Sequence, residues 1–140
     1  MSVEKTLILV KPDGVRRGLI GDVVGRFEAK GLRIAALKML QLSNEKAEQH
    51  YAVHKDKPFF GELIEFITSA PLVAMVIEGP SAIGLCRKLM GATRPEDAEP
   101  GSIRGDYATI ITENIVHGSD GAETAAYEIP IYFSEDEIMG

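Results

Sequence analysis

Hydrophobic residues along this chain fall into short continuous runs, separated by segments in which they recur every three or four positions. The run at 6–10 contains β-branched residues and is long enough for a buried strand but too short for a helix. A similar strand-like pattern is present at 32–42 and at 72–77. Val116 and the β-branched residue before it mark a fourth. The pattern therefore predicts four β-strands.

The segments between these strands have the spacing of amphipathic helices. Apolar residues between 20 and 27 lie on one face, and Gly31 is suited to a C-terminal cap. A turn is predicted before this helix, at 12–14, where proline, aspartate and glycine follow one another. Further helices are predicted after the N-cap candidate Ser43, carrying His50, Tyr51 and His54; from 60 to 67, ending before Pro71; from Ser81 to Gly91; and after Asp120.

The predicted elements follow one another in the order β-α-β-α-α-β-α-β-α, which is typical of a sheet with helices packed on it. We therefore expect an α+β protein with a ferredoxin-like α/β sandwich, in which helices cover a four-stranded antiparallel sheet. No repeat, low-complexity tract or linker interrupts the sequence. Residues 1–140 are accordingly predicted to form a single domain.

The composition and charge of the chain limit the kinds of molecule that it is expected to bind. With 45% hydrophobic residues the chain can bury a core, and its formal net charge of −6 argues against nonspecific binding to nucleic acid or to an anionic membrane. An anionic substrate would have to be held by local cations. Cys86 is the single cysteine, and the sequence shows no signal peptide or long apolar segment. We expect a cytoplasmic protein without a membrane partner.

The segment 114–120, which reads Asn-Ile-Val-His-Gly-Ser-Asp, has the strongest chemical signal. It places His117 where a strand is interrupted, because Gly118 permits either a positive φ or a close backbone approach. An imidazole with a pKa of about 6.5 is mostly neutral at pH 7 and keeps one lone pair, so it can attack phosphorus. The alternative left open is a histidine that only hydrogen-bonds the backbone at a strand end.

The residues after this histidine favour an anion site. Asp120 and Glu123 fit the N-cap and N3 positions of a capping box, which would begin a helix here and direct free N–H groups toward His117. Ser119 is a candidate for the same site, although a serine between glycine and aspartate is also a common turn former.

Phosphoryl transfer needs cations and hydrogen-bond donors around the transferring phosphate. Four basic residues lie at the ends of predicted elements or beside a long surface loop at 92–102, although surface cations are commonly only solvated. These candidates are Lys11, Arg87, Arg94 and Arg104. Thr93 and Asn114 are able to bind phosphate or sugar, but both residue types also serve ordinary loops.

Two weaker signals concern aromatic and histidine side chains. Of Phe59 and Phe60, one must point outward, and Phe59 is the better candidate; it would stack on a nucleobase or contact another subunit. His50 and His54 have a spacing that can hold zinc, but no third ligand is visible near them, so no metal site is predicted.

Familiar phosphate-binding loops are missing. Residues 79–84 have the glycine spacing of a Walker A loop, but Leu85 and Cys86 stand where lysine and serine or threonine are required. There is also no Gly-x-Gly-x-x-Gly dinucleotide motif, so a Rossmann-type oxidoreductase is disfavoured. Phosphate binding would depend on side chains and helix ends.

Taken in order, four segments resemble those of nucleoside diphosphate kinases, at the spacing of that family: 10–15, 54–60, 104–107 and 114–120. The resemblance covers essentially the whole chain. It implies transfer of the terminal phosphate of a nucleoside triphosphate, mainly ATP, to a nucleoside diphosphate, by a ping-pong mechanism through a phosphohistidine at His117. It also implies Mg²⁺ bound mainly through the nucleotide phosphates, and a homo-oligomer, with a hexamer favoured over a tetramer or dimer.

The resemblance further assigns roles to individual residues. It implies that Glu128 accepts a hydrogen bond from the second ring nitrogen of His117. The phosphate contacts would be Lys11, Arg87, Thr93 and Arg104, with Lys11 and Asn114 near the ribose 3′-hydroxyl, Tyr51 and Ser119 supporting the site, and Phe59 on the base. From the charge argument, Arg104→Ala is predicted to slow transfer with little effect on folding. A competing hypothesis is a nucleotide-binding or nucleic-acid-binding module without turnover.

Overall fold

The computed structural model describes residues 3–140, which contain a four-stranded sheet. Its strands are β1 (Val3–Val10), β2 (Arg33–Leu40), β3 (Leu72–Pro80) and β4 (Val116–Gly118). Their order across the sheet is β2-β3-β1-β4, and each adjacent pair is antiparallel. The predicted ferredoxin-like α/β sandwich is confirmed.

Seven α-helices lie within residues 3–140. They are α1 (Pro12–Arg16), α2 (Ile20–Ala29), α3 (Asn44–His50), α4 (Phe60–Ile67), α5 (Ala82–Met90), α6 (Ile103–Tyr107) and α7 (Ala122–Tyr132). Sequence patterning misses α1 and α6. The turn predicted at 12–14 is wrong, since Pro12 begins α1; a proline fits there because its missing N–H needs no partner in the first turn. None of the helices in this range is long and apolar enough to cross a membrane.

The helices bury both faces of the sheet. Ile8 packs on one face with Phe27 of α2 and Cys86 of α5. The next residue, Leu9, packs on the opposite face, in a cluster that includes Ile67 of α4 and residues of α3 and α7. Neighbouring residues of a strand point to opposite faces, so the side chains of β1 pack into both hydrophobic cores. This explains why its apolar run is continuous rather than alternating.

Helix boundaries agree with the predictions only in part. Ser43 caps α3 as predicted, because its hydroxyl accepts a hydrogen bond from the Lys46 N–H. Tyr51 and His54 lie beyond the end of α3. His54 belongs to a short 3₁₀ helix (Ala52–His54), and Tyr51 is the residue before it. Ser81 precedes α5 as predicted, but its φ is 56° and its side chain makes no capping bond.

The capping box predicted for Asp120 and Glu123 is wrong. α7 begins one residue later than that box requires, with Gly121 as its N-cap, and no side chain caps its N-terminus. Asp120 instead accepts a hydrogen bond from the hydroxyl of Thr124. The chain therefore leaves β4 and enters α7 through Gly121 in extended conformation.

Candidate active site

A cleft of about 870 Å³ opens beside β4, between α3, α4, α7 and the loop after α5. It gathers nearly all of the side chains singled out from the sequence: Lys11, Tyr51, Phe59, Arg87, Thr93, Arg104, Asn114, His117 and Glu128. Two candidates are not among the lining residues: Ser119, which is buried and hydrogen-bonded to Glu128, and Arg94, which is exposed. Residues from both ends of the chain thus meet around one histidine.

Backbone strain just before His117 sets the direction of β4. Ile115 has a φ of 74°, in the left-handed region that β-branched residues rarely adopt. Its N–H donates to the Asp13 carboxylate (3.0 Å), and its carbonyl oxygen accepts from the Lys11 N–H (2.8 Å). The sequence predicted an extended residue at 115, and these bonds to the start of α1 explain the difference.

Gly118 allows close packing next to the histidine. A β-carbon at this position would meet the side chains of Met90 and Ile8. Its φ is not positive, so of the two predicted reasons for this glycine the close approach is confirmed and the positive φ is wrong. His117 pairs with Leu9 across the strands and lies in the cleft.

Glu128 of α7 orients the imidazole. The distance from His117 Nε2 to Glu128 Oε1 is 3.0 Å, and the Ser119 hydroxyl donates to the same oxygen at 2.7 Å. Burial works to raise the pKa of this carboxyl, but the hydrogen bond and charge of His117, followed by His50 and Ser119, bring the pKa below its ordinary value. An ionised Glu128 keeps the imidazole proton on Nε2 and leaves the Nδ1 lone pair free.

His50 is the residue of this site that sequence reasoning did not connect with His117. It is buried at the end of α3, with its ring centroid 4.5 Å from that of His117 in an edge-on arrangement. Its Nδ1 lies 3.2 Å from the Tyr132 hydroxyl. Burial first, and then His117, lower its pKa to about 3 although Glu128 raises it, so the ring is neutral. The only sequence signal was its spacing to His54, which instead lies beside Phe59.

Three cations, Lys11, Arg87 and Arg104, line the cleft. Lys11 follows β1, and its pKa is lowered to about 8 by burial, with Asp13 raising it and Arg104 lowering it. Burial and the charge of Arg87 lower the pKa of Arg104 to about 10. Arg87 is exposed on α5 and faces the cleft, as predicted for a residue outside the core. Mutual repulsion among these groups is what a bound polyphosphate would relieve.

Arg104 is also a structural residue. Its guanidinium donates to the carbonyl oxygens of Gly91 (2.9 Å), Asn114 (3.3 Å) and Val116 (2.7 Å). These bonds tie the end of α5 to β4 from within α6. A side chain predicted only as a phosphate contact therefore also holds the backbone around His117.

For this reason we expect Arg104→Ala to lower the free energy of unfolding by about 2–3 kcal/mol, in addition to slowing catalysis. The substitution removes the guanidinium bonds to three carbonyl oxygens, of which that of Asn114 still accepts from the Val116 N–H (2.8 Å), and this revises the expectation of a small effect on folding. Urea unfolding of Arg104→Ala and Arg104→Lys is the measurement, since lysine keeps the charge and can restore part of the bonding. A loss below about 0.5 kcal/mol for alanine would contradict this role.

Two candidates lie in the loop after α5, and of these Thr93 lines the cleft whereas Arg94 does not. The Asn114 side-chain amide donates to the Thr93 carbonyl oxygen at 3.0 Å, so Asn114 and Thr93 are neighbours in the cleft. Arg94 is exposed and forms an ion pair with Glu96 at 2.7 Å. Arg94 therefore has a partner outside the cleft, unlike the cations that line it.

Aromatic residues form the opposite rim. Phe59 is 42% exposed whereas Phe60 is more buried, as predicted. Tyr51 packs edge-on against His50, and burial together with Glu128 raises the pKa of its hydroxyl to about 12. Tyr51 is thus a neutral hydrogen-bonding group in the cleft, and Phe59 offers an open ring face.

Comparison with known proteins places this arrangement in context. Residues 4–138 match the family model described as nucleoside diphosphate kinase. The nucleoside diphosphate kinase of a Thermus thermophilus strain is 57% identical over 98% of this chain and 100% of its own length. That of a Picosynechococcus species is 58% identical over 97% of this chain and 91% of its own length.

Solved structures agree with the sequence comparison. The nucleoside diphosphate kinase of Aquifex aeolicus has a TM-score of 0.96 and 45% identity, covering 99% of this chain and 100% of that one. A halophilic enzyme of the same name from Halobacterium salinarum, in complex with CDP, has a TM-score of 0.95 and 50% identity, covering 99% and 93%. Both the fold and the sequence are therefore shared over nearly the whole chain.

Proposed function

Because this chain belongs to the nucleoside diphosphate kinase family and transfers the terminal phosphate of a nucleoside triphosphate to a nucleoside diphosphate, we propose that His117 carries the phosphoryl group between the two nucleotides. The observation that carries this proposal is the 3.0 Å contact between His117 Nε2 and Glu128. It leaves Nδ1 as the nucleophile, in a cleft where Lys11, Arg87 and Arg104 converge.

In the first half-reaction, the Nδ1 lone pair forms a bond to the terminal phosphorus, and the bond from phosphorus to the bridging oxygen breaks. The nucleoside diphosphate leaves with that electron pair. The proton stays on Nε2, so the ring becomes an imidazolium, and the ionised Glu128 stabilises its charge. In the second half-reaction, a diphosphate oxygen attacks the phosphorus and the His117 ring is the leaving group. Double-displacement, or ping-pong, kinetics follow from this order.

The cations of the cleft stabilise charge during transfer. In a loose transition state, negative charge is spread over the equatorial oxygens of the transferring group. Lys11, Arg87 and Arg104 would bind these oxygens, and the Thr93 hydroxyl would donate a further hydrogen bond. Lys11 and Asn114 line the same cleft, and we assign them the contacts to the ribose 3′-hydroxyl.

Nucleotide recognition outside the phosphates would depend on stacking. Phe59 presents its ring at the cleft rim, and base stacking supplies affinity without a hydrogen-bond code. One cleft can then accept several bases, with ATP as the principal donor. The Halobacterium salinarum relative was solved in complex with CDP, which supports nucleotide binding by this chain.

The proposed reaction uses Mg²⁺, which enters the cleft bound to the nucleotide. The cleft carboxylates are Glu62, Glu113, Asp120 and Glu128. Glu128 is engaged by His117 and Ser119, and the others lie on separate elements, so the described residues suit an ion held mainly by phosphate oxygens. When bound, Mg²⁺ neutralises charge on the phosphates.

Assembly and location are further parts of the proposal. Leu37 and Met39 are 53% and 57% exposed on β2, a strand at the sheet edge, which favours association of copies of the chain. A homo-oligomer follows, with a hexamer favoured over a tetramer or dimer; sedimentation velocity distinguishes the three.

The chain acts as one domain, and a single buried cysteine suits the reducing cytoplasm.

Labelling with ATP tests the phosphoryl carrier. Protein incubated with ATP labelled in its terminal phosphate, with Mg²⁺ and no acceptor, is expected to take up one phosphoryl group per chain, in an acid-labile and alkali-stable linkage. Addition of a nucleoside diphosphate should transfer the label to it. Absence of label, or label in a base-labile linkage, would overturn the role of His117. Nucleotide binding without any label would favour a module without turnover.

A pH dependence follows from Lys11. In the nucleotide-free protein its pKa lies at about 8, below the ordinary 10.5, so the ammonium charge is present at lower pH and is lost as pH rises through about 8. We expect kcat/KM for nucleotide to fall above about pH 8, because kcat/KM reports ionisations of the free enzyme. Lys11→Arg, which stays charged, should move this alkaline limb to higher pH. An unchanged limb in Lys11→Arg would assign it to another group.

A further inference from the structure

We propose that His50, His117 and Glu128 form a binding site for a transition-metal ion of the zinc class, and that an ion bound there blocks His117 as a phosphoryl acceptor. Metal binding stands on the geometry of three side chains and is independent of the proposed function. The inhibitory effect rests on His117 being the phosphoryl carrier.

The three side chains already lie close to a metal-binding arrangement. Their ligand atoms all lie within 4.8 Å of one another. The His117 Nε2 to Glu128 Oε1 distance is 3.0 Å, and the His50 Nε2 to Glu128 Oε2 distance is 4.0 Å. Tetrahedral zinc holds nitrogen and oxygen ligands at about 2.0–2.1 Å, so its ligand atoms are roughly 3.3 Å apart. Small side-chain rotations reach this geometry, and a fourth position stays open to the cleft.

An unpartnered buried atom points independently to a ligand. The side chain of His50 is only 1% exposed, and its Nε2 has no hydrogen-bond partner among the described residues. A buried polar atom without a partner is costly, and coordination of a metal would satisfy it. The sequence predicted no metal here because His50 was considered only with His54. The fold supplies the missing ligands from β4 and α7.

The ligands are also held by a surrounding shell of hydrogen bonds. The Tyr132 hydroxyl contacts His50 Nδ1, which leaves Nε2 directed at Glu128. The Ser119 hydroxyl holds the Glu128 carboxylate. Bonds of this kind orient metal-binding histidines and carboxylates in proteins.

The chemistry of the donors selects the metal. Two imidazole nitrogens and one carboxylate suit Zn²⁺ and its transition-metal neighbours, whereas Mg²⁺ prefers oxygen ligands and keeps its waters. Mg²⁺ carried by a nucleotide therefore does not compete for these nitrogens. The same set of two histidines and a glutamate is found in zinc sites that keep one position open.

Occupation of the site changes the protonation of His117. The metal forms a bond to Nε2 and displaces its proton, and the neutral ring then carries that proton on Nδ1. No lone pair is left on Nδ1, so no bond to phosphorus forms. A phosphoryl group on Nδ1 has the opposite requirement, because it leaves the proton on Nε2. Metal binding and phosphorylation of His117 are therefore mutually exclusive.

The test uses Co²⁺ and Zn²⁺ with the full chain, free of nucleotide and with Mg²⁺ in excess. We expect one Co²⁺ per chain, with the intense visible absorption of a four- or five-coordinate site, displaced by Zn²⁺. Labelling by ATP should fall in proportion to the bound metal. His50→Gln should weaken metal binding about 10- to 100-fold. His54→Gln and Cys86→Ser, which alter the nearest other histidine and the single thiol, should bind as the unaltered protein does.

The outcomes separate the two parts of the proposal. Absent Co²⁺ absorption, or equal affinity in His50→Gln, would overturn the site. Zinc X-ray absorption of the unaltered protein counts its imidazole ligands without any variant, and fewer than two would also overturn it. Bound metal with undiminished labelling would overturn the inhibitory effect. The labelling of metal-free protein tests the proposed function separately.

Discussion

His117→Ala is expected to lower the rate of phosphate exchange by about 10⁵- to 10⁶-fold and to abolish labelling by ATP, because it removes the atom that we propose forms the bond to phosphorus. Loss of a covalent nucleophile cannot be offset by the cations of the cleft, which only stabilise charge. The side chain is 24% exposed, so the folded state should survive its removal. Rapid-quench kinetics with labelled ATP and thermal unfolding measure the two effects.

His54→Ala is the matched control for this substitution. His54 lines the same cleft but contacts Phe59 rather than Glu128, so its loss should leave labelling stoichiometry unchanged. Label that persists in His117→Ala would move the phosphoryl group to another side chain. Equal loss of activity in both variants would show that the effect is a general disturbance of the cleft.

Glu128→Gln is expected to lower the rate of His117 phosphorylation by about 10²- to 10⁴-fold, with little change in the KM for nucleotide. The amide is close in size to the carboxylate, but it carries no charge to stabilise the imidazolium. It can also donate to Nε2, which would place the ring proton on Nδ1. Both effects act on His117 and not on the nucleotide, so the loss belongs in kcat.

Glu123→Gln removes a carboxylate from the exposed face of the same helix and serves as the control. Single-turnover labelling should be unchanged in that variant. A Glu128→Gln enzyme within twofold of the unaltered rate, or one whose defect lies in KM, would contradict the orienting role. Burial of Glu128 makes a stability measurement necessary, and urea unfolding separates a folding defect from a chemical one.

Local patterns predicted most of the fold because burial imposes a period on the sequence. The apolar run at 6–10 is β1, and the spacing from 20 to 27 is α2. The predictions were wrong where one local sequence signal is compatible with two different structures. Pro12 begins a helix as readily as a turn, and Asp120 is a possible cap that the backbone at Gly121 leaves unused. Caps and turns depend on where neighbouring elements pack.

Prediction of the site had a different limit. The segment around His117 indicated a reactive histidine through local chemistry alone, and its resemblance to a family supplied Glu128. No local signal joined His50 to His117, because their rings meet only when α3 packs beside β4. The three carbonyl bonds of Arg104 were equally invisible to sequence patterning, since their acceptors lie outside α6, at residue 91 and at residues 114 and 116.

The amino-acid sequence by itself determined the strands, the main helices and the candidate for the reacting imidazole, because these depend on side-chain periodicity and on the intrinsic chemistry of one residue. Tertiary structure decided which nitrogen of His117 is free, what lowers the pKa of Lys11, and which buried side chains surround the imidazole. These properties depend on distance and on exclusion of water, and both arise only when residues far apart in the chain are packed together.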